Sequence, residues 1–215
     1  KTLHGKSWYR FLSGLIHTFR PNTKKGSQKN IYQHYDIGNA FYKRWLDPSM
    51  TYSSALYRNR AQSLEEAQRE KYANLARMLD IRPEHHVLEI GCGWGGMAEY
   101  VAGEIGAKMT CVTISKSQYD YAVKRMQDKG LSDKVQILLI DYRDIEGQFD
   151  RIVSIEMFEA VGEQYWSTYF NQVKACLKTG GKAGFQIITI DHAHFPAYRK
   201  SADYIQRYIF PGGML

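Results

Sequence analysis

Residues Leu88 to Gly96 read Leu-Glu-Ile-Gly-Cys-Gly-Trp-Gly-Gly, a short apolar run entering four glycines. Glycines at such a place let the backbone turn tightly and approach a ligand with no Cβ in the way. Gly91, Gly93 and Gly96 satisfy the pattern G-x-G-x-x-G, so hydride transfer from a dinucleotide is one chemistry to weigh. That chemistry expects an acid about 20 residues on, at the end of the next strand, to hold a ribose. Val112-Thr113-Ile114-Ser115 stands there instead, and the acid of the loop is Glu89, two residues before its first glycine. Further candidates lie at Asp141-Tyr142-Arg143-Asp144 and Met157-Phe158-Glu159. His192 and His194 form a lone H-x-H pair after an apolar run; they are expected at the surface, and no metal site is expected.

These residues need elements to position them. Ser63 precedes a helical pattern with Leu64, Ala67, Tyr72, Leu75, Met78 and Leu79 as its apolar and small positions, ending before Pro83. Strands are predicted at Val87–Ile90, Lys108–Thr113, Val135–Ile140, Arg151–Ile155 and Ala183–Ile190. Helices are predicted at Met97–Gly106, about Ser117–Lys129 and about Tyr165–Leu177. Strands alternating with helices argue for a parallel sheet covered on both faces. Ligands of such sheets bind beyond the carboxyl ends of the strands, where these candidates fall.

Composition is that of one soluble domain, 215 residues with 44% hydrophobic and 24% charged. No apolar run approaches the roughly 20 residues that span a bilayer, and no signal-peptide pattern is present. Cys92, Cys111 and Cys176 show no paired spacing and fit a reducing cytoplasm. The chain starts at a lysine and stops just after Gly212-Gly213, which reads as part of a longer protein. The net charge of +7 is segregated: seven basic residues, Lys1 to Lys29, precede the first acid, Asp36. Among them Trp8, Phe11, Leu12, Leu15, Ile16 and Phe19 recur at helical spacing. Such an arm suits an anionic membrane surface, and its apolar stripe equally suits packing on the protein itself. The expected organisation is a basic arm and linker over 1–30, an aromatic and helical cap over 31–82, and the core over 83–215.

A glycine loop carrying Glu89 matches the S-adenosylmethionine (SAM) loop of methyltransferases. Beyond the loop, the chain resembles the cyclopropane fatty acid synthase family and its mycolic acid-modifying relatives. The resemblance runs in order through His34-Tyr35-Asp36, Leu46-Asp47-Pro48, Tyr52-Ser53, the glycine loop, Val112–Ser115 and Asp141–Asp144. It continues through Phe149–Ser154, Met157-Phe158-Glu159 and Tyr208–Gly213. The fold it implies is a Rossmann-like α/β SAM methyltransferase, a mostly parallel sheet with helices on both faces. The closing antiparallel strands of that fold are expected to be missing.

The resemblance also implies roles. Tyr52 and Ser53 match residues that contact SAM, and Gly91, Cys92, Gly93 and Gly95, with Glu89, match the loop around its amino-acid portion and sugar. Thr113, Ile114, Ser115 and Gln118 match the second strand end, and Tyr142 and Arg143 the adenine side. The implied reaction moves the SAM methyl onto a cis double bond of a phospholipid acyl chain, makes a carbocation and closes a cyclopropane by losing a proton. Aromatic faces stabilise such a cation, and Tyr35, Tyr52, Tyr57, Trp94, Phe158 and Tyr169 are candidates, each also suited to the core. The family's synthases use bicarbonate as base, held by a cysteine, a glutamate, a histidine and a later tyrosine. Glu159 matches the glutamate, whereas Ser54 stands at the cysteine position and Gln186 at the histidine position. That departure leaves a methylene or methyl-branched product as an alternative to the ring.

The expected protein is therefore a SAM-dependent methyltransferase that is cytoplasmic and peripheral to the membrane, with catalytic residues Glu159, Gln186 and Ser54. SAM and bicarbonate are the expected cofactors. The expected partners are unsaturated phospholipid acyl chains and an anionic membrane surface; a homodimer is allowed and nucleic acid is not expected. The rivals are a methyltransferase of a soluble small molecule or RNA, and a degenerate SAM-binding, lipid-associated protein.

Overall fold

Val87, Leu88 and Ile90 alternate between two apolar environments, as residues of a strand buried on both faces must. In the computed structural model, which describes residues 22–24, 26, 38–199, 204, 213 and 214, their strand β1 (His86–Ile90) is the centre of the sheet. It pairs in parallel with β2 (Lys108–Thr113) on one side and β4 (Phe149–Ile155) on the other. Outside these lie β3 (Val135–Leu139) and β5 (Leu177–Gln186), giving the order β3-β2-β1-β4-β5 with every pairing parallel. The winding reverses at β1, so the carboxyl ends of β1 and β4 flank a crevice. The apolar stripe of residues 8–19, Tyr35 and Tyr208 lie outside the described residues.

Helices cover both faces, as the alternation predicts. A short helix α1 (Asn39–Tyr42) and α2 (Leu64–Met78) precede the sheet. Ser63 caps α2 reciprocally: its Oγ accepts from the Glu66 N–H at 3.2 Å, and the Glu66 carboxylate accepts from the Ser63 N–H at 2.7 Å. The buried face of α2 differs from the apolar pattern, for Met78 is 68% exposed while Gln68 and Lys71 are buried. The polar pair goes inside because it has partners: Gln68 Nε2 donates to the Ser53 carbonyl at 2.8 Å and Lys71 Nζ to Ser53 Oγ. Leu75 and Leu79 join the core of Val87, Met97 and Val153, and Arg151 of β4 donates to the Leu79 carbonyl at the end of α2.

After β1, α3 (Gly96–Tyr100) widens into a π-helical turn, Val101–Ile105, that ends at Gly106. Ser115 caps α4 (Lys116–Asp128), which packs with α2 and α3 on one face. On the other face α5 (Trp166–Cys176) buries Tyr169, Val173 and Cys176 against Leu88, Ile90 and Ile152. The fifth strand begins six residues earlier than Ala183 and stops at Gln186 instead of Ile190. Leu177 already pairs with Phe149, and the left-handed Gly180 allows an irregularity between the two paired stretches. A last short helix is α6 (Phe195–Tyr198). All three cysteines are buried and unpaired. No helix among the described residues is long and apolar enough to cross a membrane.

Candidate active site

A cavity opens at the carboxyl ends of β1, β2 and β4, under the glycine loop. The loop folds back over β2: the N–H groups of Gly91 and Cys92 both donate to the Val112 carbonyl, at 3.0 and 3.1 Å. Gly91 has φ 82°, and a Cβ there would lie 2.6 Å from Met157 Cγ, so the loop touches the segment after β4. Gly93, also left-handed, has no atom within 4 Å of its would-be Cβ and looks onto open space. Gly91, Cys92 and Gly93 line the cavity; Gly95, at φ 84°, instead precedes the first residue of α3 and packs against Ala122 of α4.

The β2 end is neutral. Thr113, Ile114 and Gln118 line the cavity, and Thr113 Oγ1 donates to Gln118 Oε1 at 2.9 Å. Ser115, buried at 4% exposure, supports them: its N–H donates to Thr113 Oγ1 and its Oγ accepts from the Gln118 N–H. On the third side Tyr142 reaches the cavity while Arg143 stands behind it. The Arg143 guanidinium grips both oxygens of Asp141 at 2.7 Å, lies over the rings of Tyr142 and Tyr165, and donates to the Asn22 carbonyl at 3.1 Å. Asn22 itself lines the cavity, and its Nδ2 donates to the Ala160 carbonyl at 2.8 Å. Asn22, in the segment read as a linker, thus belongs to the site, and Lys24 two residues on pairs with Asp144. Only Pro21 ahead of it and the polar run behind it are visible in sequence, and neither signals a binding residue.

Glu89 lies at the floor, 3% exposed, and burial pushes its carboxyl up to about 8. Its Oε2 has no hydrogen-bond partner among the described residues. Lys71, also buried, is pushed down to about 8 by the same desolvation. Tyr52 and Ser53 line the cavity from the segment before α2, and Tyr72 OH shares a hydrogen bond of 2.7 Å with Thr51 Oγ1. These residues fit SAM: Glu89 Oε2, without a hydrogen-bond partner among the described residues, is available to the cofactor, and the Gly93 backbone leaves it room.

The ends of β4 and β5 carry a second polar group. Ser54 and Gln186 come together there, and the carboxylate between them is that of Glu156. Glu156 Oε1 accepts from the Ser54 N–H at 2.9 Å, from Ser54 Oγ at 2.5 Å and from Gln186 Nε2 at 2.9 Å. Its backbone N–H donates to the Gln186 carbonyl at 2.8 Å, and its φ is 48°. A non-glycine residue held in that region costs on the order of 1–3 kcal/mol, a strain found where structure serves a site. Glu159 stands one turn on, in the 3₁₀ turn Phe158–Ala160. Its Oε1 accepts from the Ile188 N–H, its Oε2 has no partner among the described residues, and burial raises its pKa. No hydrogen bond joins Glu159 to Ser54 or Gln186 among the described residues. Glu156 escaped the sequence reading although it directly follows a strand, the position where ligand-facing residues of parallel sheets lie.

Of the aromatic candidates, Tyr52 and Trp94 line the cavity, Trp94 donating to Asn39 Oδ1 at 2.7 Å and packing on Tyr42. Phe158 and Tyr169 belong to the α5 core, and Tyr57 is 50% exposed. His192 and His194 are exposed in the turn that leads into α6.

The family model described as mycolic acid cyclopropane synthetase matches residues 22–215. The chain belongs to this family. Among curated relatives, it is 38% identical over 199 residues to a probable fatty acid methyltransferase of Pseudomonas putida, covering 91% of this chain and 50% of the relative. The cyclopropane-fatty-acyl-phospholipid synthase of Escherichia coli K12 is 43% identical over 188 residues, covering 85% of this chain and 46% of that protein. The chain spans about half the length of these relatives. Among solved structures it resembles the cyclopropane synthase MmaA2 from Mycobacterium tuberculosis, with TM-score 0.79, 26% identity, and 87% of this chain and 69% of that one covered. The mycolic acid cyclopropane synthase CmaA1, complexed with SAH and CTAB, matches with TM-score 0.77 at 26% identity over the same shares. The fold is therefore the Rossmann-like fold of SAM-dependent methyltransferases, as the family resemblance implied.

Proposed function

We propose that the full-length protein transfers a methyl group from SAM to a cis double bond in the acyl chains of phospholipids and closes a cyclopropane ring. One observation carries this reading: a single cavity is walled by the glycine loop and Glu89 on one side and by Glu156 on the other. SAM supplies an electrophilic methyl when bound there. Glu89 and the glycine-loop backbone hold its charged end, while Thr113, Gln118 and Tyr142 bound the rest. Tyr52 and Trp94 offer aromatic faces to a cationic substrate carbon. Asn22 and the buried Val161 help to keep out water, which would trap that carbon.

The proton released on ring closure needs an acceptor, and Ser54, Gln186 and Glu159 are assigned to that task together with Glu156. Bicarbonate does not fit between Ser54 and Gln186, because their donors already serve the Glu156 carboxylate. A second anion would face that carboxylate directly. A second reading, arrest at a methylene or methyl-branched product, draws support from Ser54 and Gln186 and from relatives named as probable fatty acid methyltransferases. The basic arm of residues 1–30 is proposed to hold the protein peripherally on an anionic membrane, less Lys24, whose charge is paired with Asp144.

The test uses full-length protein, SAM with an isotopically labelled methyl and vesicles of dioleoyl phosphatidylglycerol. Mass spectrometry should find label in the acyl chains, and proton NMR should show the upfield signals of a cyclopropane. Exocyclic methylene signals instead would establish the second reading. Protein that binds SAM but labels no unsaturated phospholipid would refute lipid methylation.

A further inference from the structure

We propose that Glu156 is the proton acceptor of this site, a carboxylate of the chain itself standing where the resemblance placed a bound bicarbonate. The inference rests on the lipid methylation reading and assigns its final step to one residue.

Three observations converge on Glu156. The first is geometric: its carboxylate ends a strand at the crevice and lines the cavity shared with the cofactor loop. The second is the asymmetry of its hydrogen bonds. Oε1 takes all three, from the Ser54 N–H, Ser54 Oγ and Gln186 Nε2, and no bond reaches Oε2 among the described residues. One oxygen is thus fixed and the other is free to receive a proton. The third is backbone cost. A left-handed φ of 48° at a residue with a long side chain persists only where its surroundings enforce it. The enforcing bonds are the Glu156 N–H to the Gln186 carbonyl and the side-chain bonds to Ser54, a residue 102 positions away in sequence. Glu159 lacks this setting. Its bonded oxygen holds the Ile188 N–H, and its side chain does not line the cavity.

The step balances without a further reactant. The alkene π pair forms the new C–C bond to the methyl carbon, and the C–S pair leaves with sulfur as S-adenosylhomocysteine. Glu156 Oε2 takes a proton from the added methyl, and the released C–H pair closes the ring onto the cationic carbon. The protonated Glu156 then returns its proton to solvent. Donors fixed on Oε1 hold the carboxylate in place while Oε2 takes the proton.

Full-length protein on dioleoyl phosphatidylglycerol vesicles, in bicarbonate-free buffer under argon, provides the test. Wild type should turn over at its full rate, and added bicarbonate should not raise it. Glu156→Gln, which keeps the shape and cannot accept the proton, should lose about 10²-fold or more in turnover. Its SAM affinity by calorimetry should stay within about threefold. Glu156→Gly relieves the left-handed backbone and so guards against a folding defect; it should be inactive alone and regain activity with added formate or bicarbonate, which can enter between Ser54 and Gln186. Wild type that requires bicarbonate, or a Gln or Gly variant as active as wild type without added anion, overturns the assignment while leaving lipid methylation intact. Wild type that labels no phospholipid overturns the lipid methylation reading, and this assignment falls with it.

Discussion

The two sides of the crevice are built differently. On the β1–β2 side, polar groups find partners close by in sequence: Thr113 bonds Gln118, and Ser115 bonds both. On the β4–β5 side, Glu156 bonds Ser54 across 102 residues and Gln186 across 30, while Asn22 reaches Ala160 across 138. The first side is a local motif at the end of β2 and the start of α4. The second is an assembly that exists only once the whole chain has folded. A side made of local contacts can be read from a short stretch of sequence; a side made of distant ones cannot.

Replacements separate the two sides most sharply at Gly91, where they touch. Gly91→Val would need an unfavourable φ and would drive a Cβ into Met157. SAM binding measured by calorimetry should fall below detection, with a lowered melting temperature. Gly93→Leu, strained by its left-handed φ but with open space around it, should abolish binding with a smaller loss of melting temperature. Equal melting temperatures for the two variants would break the claim that Gly91 couples the sides.

A smaller effect is expected within the second side. Glu159→Gln removes the charge from the bond to the Ile188 N–H and should lower kcat by about tenfold, the scale of one charge-assisted hydrogen bond. SAM affinity should not change. A loss as large as that of Glu156→Gln would show that the two carboxylates act as one unit.

The smallest effect concerns the first side and pH. Burial raises the Glu89 carboxyl from an ordinary 4.5 to about 8, so between these values the folded protein holds a proton that the unfolded chain has released. The contribution of Glu89 to stability is therefore full at acid pH and is lost as pH rises through about 8. Lys71 acts in a different window: its lowered pKa makes stability rise between about 8 and 10.5. Urea denaturation of the cofactor-free protein should show a decline from pH 5 to 8 that is shallower in Glu89→Gln. An identical slope in the variant would show that Glu89 is not the titrating group.

Much of the fold was legible in the sequence. Val87–Ile90 and Lys108–Thr113 are apolar runs long enough for buried strands, and Ser63 and Ser115 announce the helices they cap. The buried face of α2 was misjudged because Gln68 and Lys71 find partners in Ser53, which periodicity cannot show. The ends of β5 were misplaced because its pairing with β4 is interrupted and then resumed. In the site, ten expected cofactor contacts line the cavity, from Tyr52 and Ser53 to Tyr142, whereas Gly95, Ser115 and Arg143 support it from behind. Glu156 was hidden by its neighbour Glu159, which carries the better motif, and by partners that sequence distance conceals.

The reversal of winding at β1 places the glycine loop after β1 and Glu156 after β4, on neighbouring strands of one sheet. Positions 54, 156 and 186 bond one another, while the glycine loop bonds the Val112 carbonyl and meets this side at Met157. A sheet of this order lets one cofactor loop stand beside different polar groups at the ends of β4 and β5.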